Sequence, residues 1–375
     1  MTKRLLKTFE EENNLTNALV PLTLDVDEVF FVYHHNVSSR KLQNCARVIN
    51  KYKQVKVLYK KVNEDEIKDL IDENTIIDIS AAKYLSIVLY EVALRNDLPV
   101  IYYDEEEKVI KQYNNHEIIS KDIFKLKIED IVALGGGTIL SYLHKPVNDR
   151  NSIDLIYKAV ESAKNQYSNF TSYISRINSY VTDFDYRDNK IFLNEVTTRR
   201  IVSDEAYQKY QDLGLFTLNG TELTFFNNDI KKLFMVTGAF LENYIYHKLI
   251  DSNLFDDILM SSTIEFNDEQ WKYPVTCEID CLVLKDNNLL FVSIKSNKTE
   301  KDDLNEIKVH NVMFGNKQSK PVICMLSDLS LKRPSIYAKA EELNVYVIDS
   351  TAFIKDNIPE TFLSIIDGTY EYERI

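Results

Sequence analysis

The residues of this chain whose types and spacing could do chemistry lie near position 280: Glu278-Ile279-Asp280 and, after a turn at Lys285 to Asn288, Ser293-Ile294-Lys295. Side chains alternate faces along a strand, so Glu278 and Asp280 share one face while Cys277, Ile279 and Cys281 take the other. On the returning strand Ser293 and Lys295 point one way, Val292 and Ile294 the other. A hairpin would therefore gather two carboxylates, a hydroxyl and an ammonium. Hard divalent cations need oxygen ligands, and a lysine beside them can orient or deprotonate an attacking water while offsetting phosphate charge. The pattern suits a metal-dependent nuclease site. A surface hairpin with its polar face in water is the alternative.

The flanking elements must position such a site. Upstream, Gly238 to Tyr246 reads as a helix whose apolar Phe240, Leu241, Tyr244 and Ile245 leave Glu242 on a different face. Downstream, Asp302 to Phe314 reads as a helix, Pro321 to Leu326 as a buried strand, Pro334 to Leu343 as a helix with proline in its first turn, and Val345 to Ile348 as a strand. In this order of helix, hairpin, helix, strand, helix and strand the region resembles the PD-(D/E)xK nuclease superfamily. That resemblance implies an acidic residue on the first helix, here Glu242. It also marks a departure, because Ser293 stands where the family has a carboxylate before x-Lys.

At 375 residues the chain predicts two or three domains. Hydrophobic residues at 45% and charged residues at 27% fit a globular protein rather than a disordered one. No apolar run reaches membrane-span length, and the segment from Met1 to Glu12 lacks a signal-peptide h-region, so the expected compartment is the cytoplasm. The four cysteines, at 45, 277, 281 and 324, make neither a disulfide framework nor a CxxC zinc pair. Cys277 and Cys281 read as small core residues. A net charge of -13 argues against binding nucleic acid through a general basic surface, but leaves room for a nuclease with a local cleft. Lys295, Lys298 and Lys301 cluster beside the proposed site, or form a solvated loop.

Residues 1–145 alternate strand and helix: strands at Val29 to Tyr33, Val55 to Tyr59, Thr75 to Ile79, Pro99 to Tyr103 and Val109 to Tyr113, with helices at Ser38 to Tyr52, Glu64 to Ile71 and Ala81 to Arg95. This is a doubly wound, Rossmann-like α/β pattern. It lacks both GxGxxG after the first strand and a Gly-Lys-Ser/Thr, which argues against a dinucleotide or ATP-hydrolysing site. Ligands of such sheets bind beyond the carboxyl ends of the strands, which directs attention to His34, His35, Asn36, Ser38 and Ser39, and to Ser80 and Lys83. Both loops open onto helix N-termini, whose free amides favour anions. Solvated histidines, an N-cap at Ser80 and a surface charge at Lys83 are the simpler readings. Gly135-Gly136-Gly137 reads as a tight connection, with ligand contact at Gly136 the alternative.

A linker at His144 to Asp149 precedes one long helix, in which Ile153, Ile156, Val160, Ala163, Tyr167, Phe170, Ile174, Ile177 and Val181 repeat at spacings of three and four. The seam packs within the chain or against a second copy. Residues 203–228 read as a helix and a short hairpin.

Over nearly its whole length the chain resembles the CARF-domain nucleases of type III CRISPR defence. The resemblance is carried by Leu213-Gly214-Leu215, Phe225-Phe226-Asn227, Thr237-Gly238-Ala239-Phe240-Leu241-Glu242, Glu278-Ile279-Asp280 and Ser293-Ile294-Lys295. Phe240 replaces the family's usual Trp, and Ser80-Ala81-Ala82-Lys83 is shorter than the family's CARF loop. The resemblance implies a ligand-sensing CARF domain at 1–145, a helical connection at 146–230 and a PD-(D/E)xK domain at 231–375. It implies a homodimer that binds cyclic tetra-adenylate across its two-fold axis and cuts DNA or RNA. It also implies manganese or magnesium held by Asp280 with Glu278 or Glu242 and the carbonyl of Ile294, with Lys295 and Ser293 completing the site. Two other readings stay open: a sensor with an inactive nuclease domain, and an unregulated restriction or repair nuclease.

Overall fold

The computed structural model describes residues 2–11, 14–81, 83–142, 145–163, 188–236, 238–266, 273–295, 299–326 and 334–371. These pack as two compact units, one of Met1–Leu140 with Ile264–Cys277 and Val312–Ser319, the other of Ser141–Thr263 with Glu278–Asn311 and Lys320–Ile375. Among the described residues no helix is long and apolar enough to cross a membrane.

The sheet of the first unit runs in the order Lys56–Lys61, Glu28–Tyr33, Arg4–Thr8, Thr75–Asp78, Val100–Asp104, Val109–Gln112, Ile118–Ser120. Its first five strands are parallel, and the last two turn antiparallel. Arg4–Thr8, the middle one of the five parallel strands, is not among the strands expected from the sequence, which begin at Val29. Parallel strands covered on both faces normally read as unbroken apolar runs, and Lys7 interrupts this one. The structure accommodates that lysine fully buried. Its ammonium pairs with Asp78 Oδ2 at 2.7 Å, in register on the adjacent strand, and donates to the carbonyl of Thr16 at 2.8 Å. Strand order reverses between Arg4–Thr8 and Thr75–Asp78, which makes the carboxyl ends of these two strands the switch point where such folds bind ligands.

Two further expectations are corrected. The helix expected from Ala81 begins at Tyr84, and the one expected through Ile71 is helical only over Glu64–Ile67 before tightening into a 3-10 turn at Lys68–Leu70.

The second sheet has the order Tyr346–Ile348, Lys320–Met325, Asn288–Lys295, Val275–Lys285, Asp257–Phe266, Gly137–Tyr142. Its hairpin sets Cys281 opposite Val292 and Lys285 opposite Asn288, closing at Asp286 and Asn287 with φ of 47° and 62°. Positive φ at both central residues is what a two-residue hairpin turn requires, and Asp and Asn tolerate it. The alternating pattern is realised, with Cys277, Ile279 and Cys281 buried. Helix Ala239–Ser252 packs against helices Arg150–Ala163 and Ile358–Asp367, and its Phe240, Leu241 and Ile245 share a core with Cys281, Val292 and Ile294. A small antiparallel sheet joins Phe216–Asn219 and Glu222–Phe225, which follow helix Glu205–Asp212, to Lys190–Phe192, which precedes it in the chain. Of the long helix, Arg150–Ala163 is described. The seam residues Tyr167, Phe170, Ile174, Ile177 and Val181 lie outside the described residues, as does Lys298.

Candidate active site and ligand loops

Asp280 is held by the strand that returns beside it. The Ile294 N–H donates to Asp280 Oδ2 at 2.6 Å and the Ser293 hydroxyl donates to the same oxygen at 3.3 Å. Burial pushes the Asp280 carboxyl above the usual aspartate range, against the pull of the Ile294 N–H and the Lys295 ammonium. Glu242 reaches the same place from helix Ala239–Ser252. Its carboxyl is pushed up to about 8, first by burial and then by the charge of Asp280, while a hydrogen bond from Ser261 and the charge of Lys295 oppose the rise. Ser261 Oγ donates to Glu242 Oε2 at 3.2 Å. Two carboxyl groups, each disfavoured as an anion, thus stand together beside one ammonium.

That ammonium, Lys295 Nζ, pairs with Asp303 Oδ1 at 3.1 Å. Burial would discharge the lysine, but Asp303, Asp280 and Glu306 outweigh it and hold its pKa above the ordinary value. At neutral pH Lys295 is therefore a fixed cation and hydrogen-bond donor rather than a base. Helix Lys301–Phe314 supplies three groups that the sequence reading left out: Asp303, Glu306 and His310. Their spacing of three and four puts them on one helical stripe, which is the signal that could have found them. Burial lowers the His310 pKa, with Glu306 opposing and Lys295 assisting the shift.

Glu278 is exposed at the edge of the hairpin. Among the described residues no group of three His, Cys, Asp or Glu side chains is arranged to hold a metal ion. The donor set that is brought together consists of Glu242 and Asp280, two oxygen-bearing groups whose mutual repulsion a hard cation would relieve, with the carbonyl of Ile294 adjacent in sequence to Ser293 and Lys295. The cysteines offer no alternative nucleophile. All four are free and buried, and burial pushes the Cys45 thiol up to about 12.

In the first unit, the carboxyl ends of the strands gather the other set of residues. His34 and His35 are exposed, with rings edge-on at 4.9 Å. Asn36 Oδ1 accepts from Lys61 Nζ at 3.0 Å. Ser38 caps helix Ser39–Tyr52 by accepting from the Lys41 N–H at 3.4 Å, and its own N–H donates to Glu11 Oε1 at 2.6 Å. Ser80 is turned inward: its hydroxyl donates to Asp78 Oδ1 and accepts from the Tyr103 N–H at 2.9 Å. Lys83 pairs with Glu10 Oε1 at 3.6 Å. Gly136, at φ 97°, is buried where an added Cβ would meet the Phe266 ring at 3.0 Å, so a close approach explains this glycine. Glu10 and Glu11 were missed because they follow the missed strand Arg4–Thr8. They occupy the same lysine and amide that an incoming anion would seek.

No family model and no curated protein sequence matches the chain. Solved structures do. Protein VC1899 of Vibrio cholerae superposes with a TM-score of 0.77 at 13% identity, covering 98% of this chain and 99% of that one. Can2 of Sulfobacillus thermosulfidooxidans, solved in complex with cyclic tetra-adenylate, superposes with a TM-score of 0.71 at 13% identity, covering 98% of each chain. The chain therefore shares its fold, from end to end, with both.

Proposed function

We propose that this chain is a metal-dependent nuclease of type III CRISPR defence, switched on by cyclic tetra-adenylate. One observation carries the reading: Glu242, Asp280 and Lys295 converge on a fold shared over its whole length with a protein solved in complex with cyclic tetra-adenylate. The residues would divide the work as follows. Asp280, fixed by the Ile294 N–H, and Glu242, fixed by Ser261, would hold a divalent cation together with the Ile294 carbonyl. When bound, that cation would supply Lewis-acid activation of the scissile phosphate and of water. Lys295, kept charged by Asp303, donates to the attacking water or to a phosphate oxygen and offsets the charge that builds there. Burial and the charge of Asp280 keep a proton on the Glu242 carboxyl at neutral pH, and binding of a cation there would require its release.

Residues 1–145 act as the sensor, 146–230 as the connection and 231–375 as the nuclease. The two anion-facing loops take the phosphates once Lys83 and the Ser38 amide exchange Glu10 and Glu11 for ligand oxygens. Exposed Tyr84, Ile87 and Leu94 form a stripe along helix Tyr84–Arg95, which suits pairing with a second copy around a two-fold ligand. Ser293 and the exposed position of Glu278 favour a second reading, a sensor whose nuclease domain is inactive. Cleavage of a fluorescent single-stranded DNA or RNA with manganese, with and without cyclic tetra-adenylate, separates them. Ligand-dependent turnover supports the nuclease, binding without turnover the sensor, and turnover indifferent to the ligand an unregulated nuclease.

A further inference from the structure

Strand Asp257–Phe266 contains a distortion that the fold alone does not call for. Ser261 lies in the left-handed region at φ 48°, a conformation disfavoured for a residue that is neither glycine, asparagine nor aspartate. Met260, Ser261 and Ser262 are buried in succession, breaking the alternation of a regular strand in the manner of a bulge. The next hydroxyl, Ser262 Oγ, is fully buried and has no hydrogen-bond partner among the described residues. Both features are unfavourable, and glycine at 261 with an apolar residue at 262 would remove them.

What the distortion yields is the contact of Ser261 Oγ with Glu242 Oε2 at 3.2 Å in the buried site. The other oxygen, Oε1, lies where a Cβ added at Gly238 would come within 3.1 Å, so the glycine at φ 92° leaves the carboxylate room to take this position. We propose that Ser261 is a positioning residue for Glu242, its unfavourable backbone serving to aim a hydroxyl that holds the carboxylate beside Asp280. The role in cleavage rests on the nuclease reading above. The contact itself does not. Strain retained at a site where it fixes a functional group is the expected signature of such a residue.

Ser261→Ala and Ser261→Gly in the full chain separate hydroxyl from backbone. Both remove the hydrogen bond to the carboxylate, so in urea unfolding each should be non-additive with Glu242→Ala by roughly fivefold or more in the unfolding constant. With manganese and cyclic tetra-adenylate, both variants should need roughly tenfold more manganese for half-maximal cleavage, the scale of a lost contact to a metal-holding carboxylate. Thermal stability instead divides them, because glycine accepts the positive φ and alanine does not. If Ser261→Gly and Glu242→Ala are simply additive, the hydroxyl has no hold on the carboxylate and the proposal is overturned. If the wild type cuts nothing under any condition, the nuclease reading fails while the mutant cycle still decides the contact.

Discussion

Replacing Glu242 by glutamine should stabilise the protein, and by an amount that grows with pH. Burial, and then the charge of Asp280, push the Glu242 carboxyl from an ordinary 4.5 up to about 8 in the folded chain. Between those two pH values the unfolded chain has released a proton that the folded chain retains, so stability falls as pH rises through this window. The displacement of about 3.5 pH units corresponds to roughly 5 kcal/mol at 1.36 kcal/mol per unit. Glutamine resembles the protonated acid and carries no such linkage. The two proteins should match near pH 4.5 and separate progressively, with the variant ahead by as much as about 4 kcal/mol at pH 8. Part of this belongs to Asp280, whose charge contributes to the rise at Glu242, so the difference reports the pair. Urea unfolding of both proteins from pH 5 to pH 9, followed by circular dichroism, measures it. Manganese should reduce the gap at high pH by favouring the ionised wild-type site. Parallel stability curves across the range would refute the buried, mutually repelling pair.

Asp280→Ala and Lys295→Ala should each lower cleavage by about a hundredfold or more while leaving ligand binding intact, as measured by single-turnover assay and calorimetry. Cyclic tetra-adenylate should bind one ring per dimer and raise the melting temperature. Lys83→Ala, or alanine at both His34 and His35, should raise the concentration needed for activation without changing the activated rate. Ser293→Glu adds the carboxylate that this site lacks. It should lower the metal concentration for half-maximal cleavage, and the wild type should prefer manganese to magnesium in the same assay. Asp78→Ala leaves the Lys7 ammonium buried without its partner and should cost about 3–5 kcal/mol in urea unfolding.

The hairpin of Val275–Lys285 and Asn288–Lys295 was legible because its information is local. Period-two alternation from Cys277 to Cys281 and an Asp-Asn turn specify faces and register without reference to the rest of the chain. Arg4–Thr8 was not legible, because its lysine contradicts the apolar run expected of a central strand. The contradiction is resolved only by Asp78, seventy-one residues away in sequence and opposite it in register. The same applies to the groups that tune each site. Asp303 matters because it meets Lys295, and Glu10 and Glu11 because they meet Lys83 and the Ser38 amide. No pattern within their own segment distinguishes Glu10 and Glu11 from solvated charges, and the stripe of Asp303, Glu306 and His310 gains meaning only beside Lys295. Ser261 is the extreme case. In the sequence Met260-Ser261-Ser262-Thr263 merely weakens a strand, yet in the fold that weakness places a hydroxyl on Glu242. Sequence periodicity registers elements that obey their own propensities. Residues that violate them, and whose violation is balanced by a distant partner, become legible only in the fold.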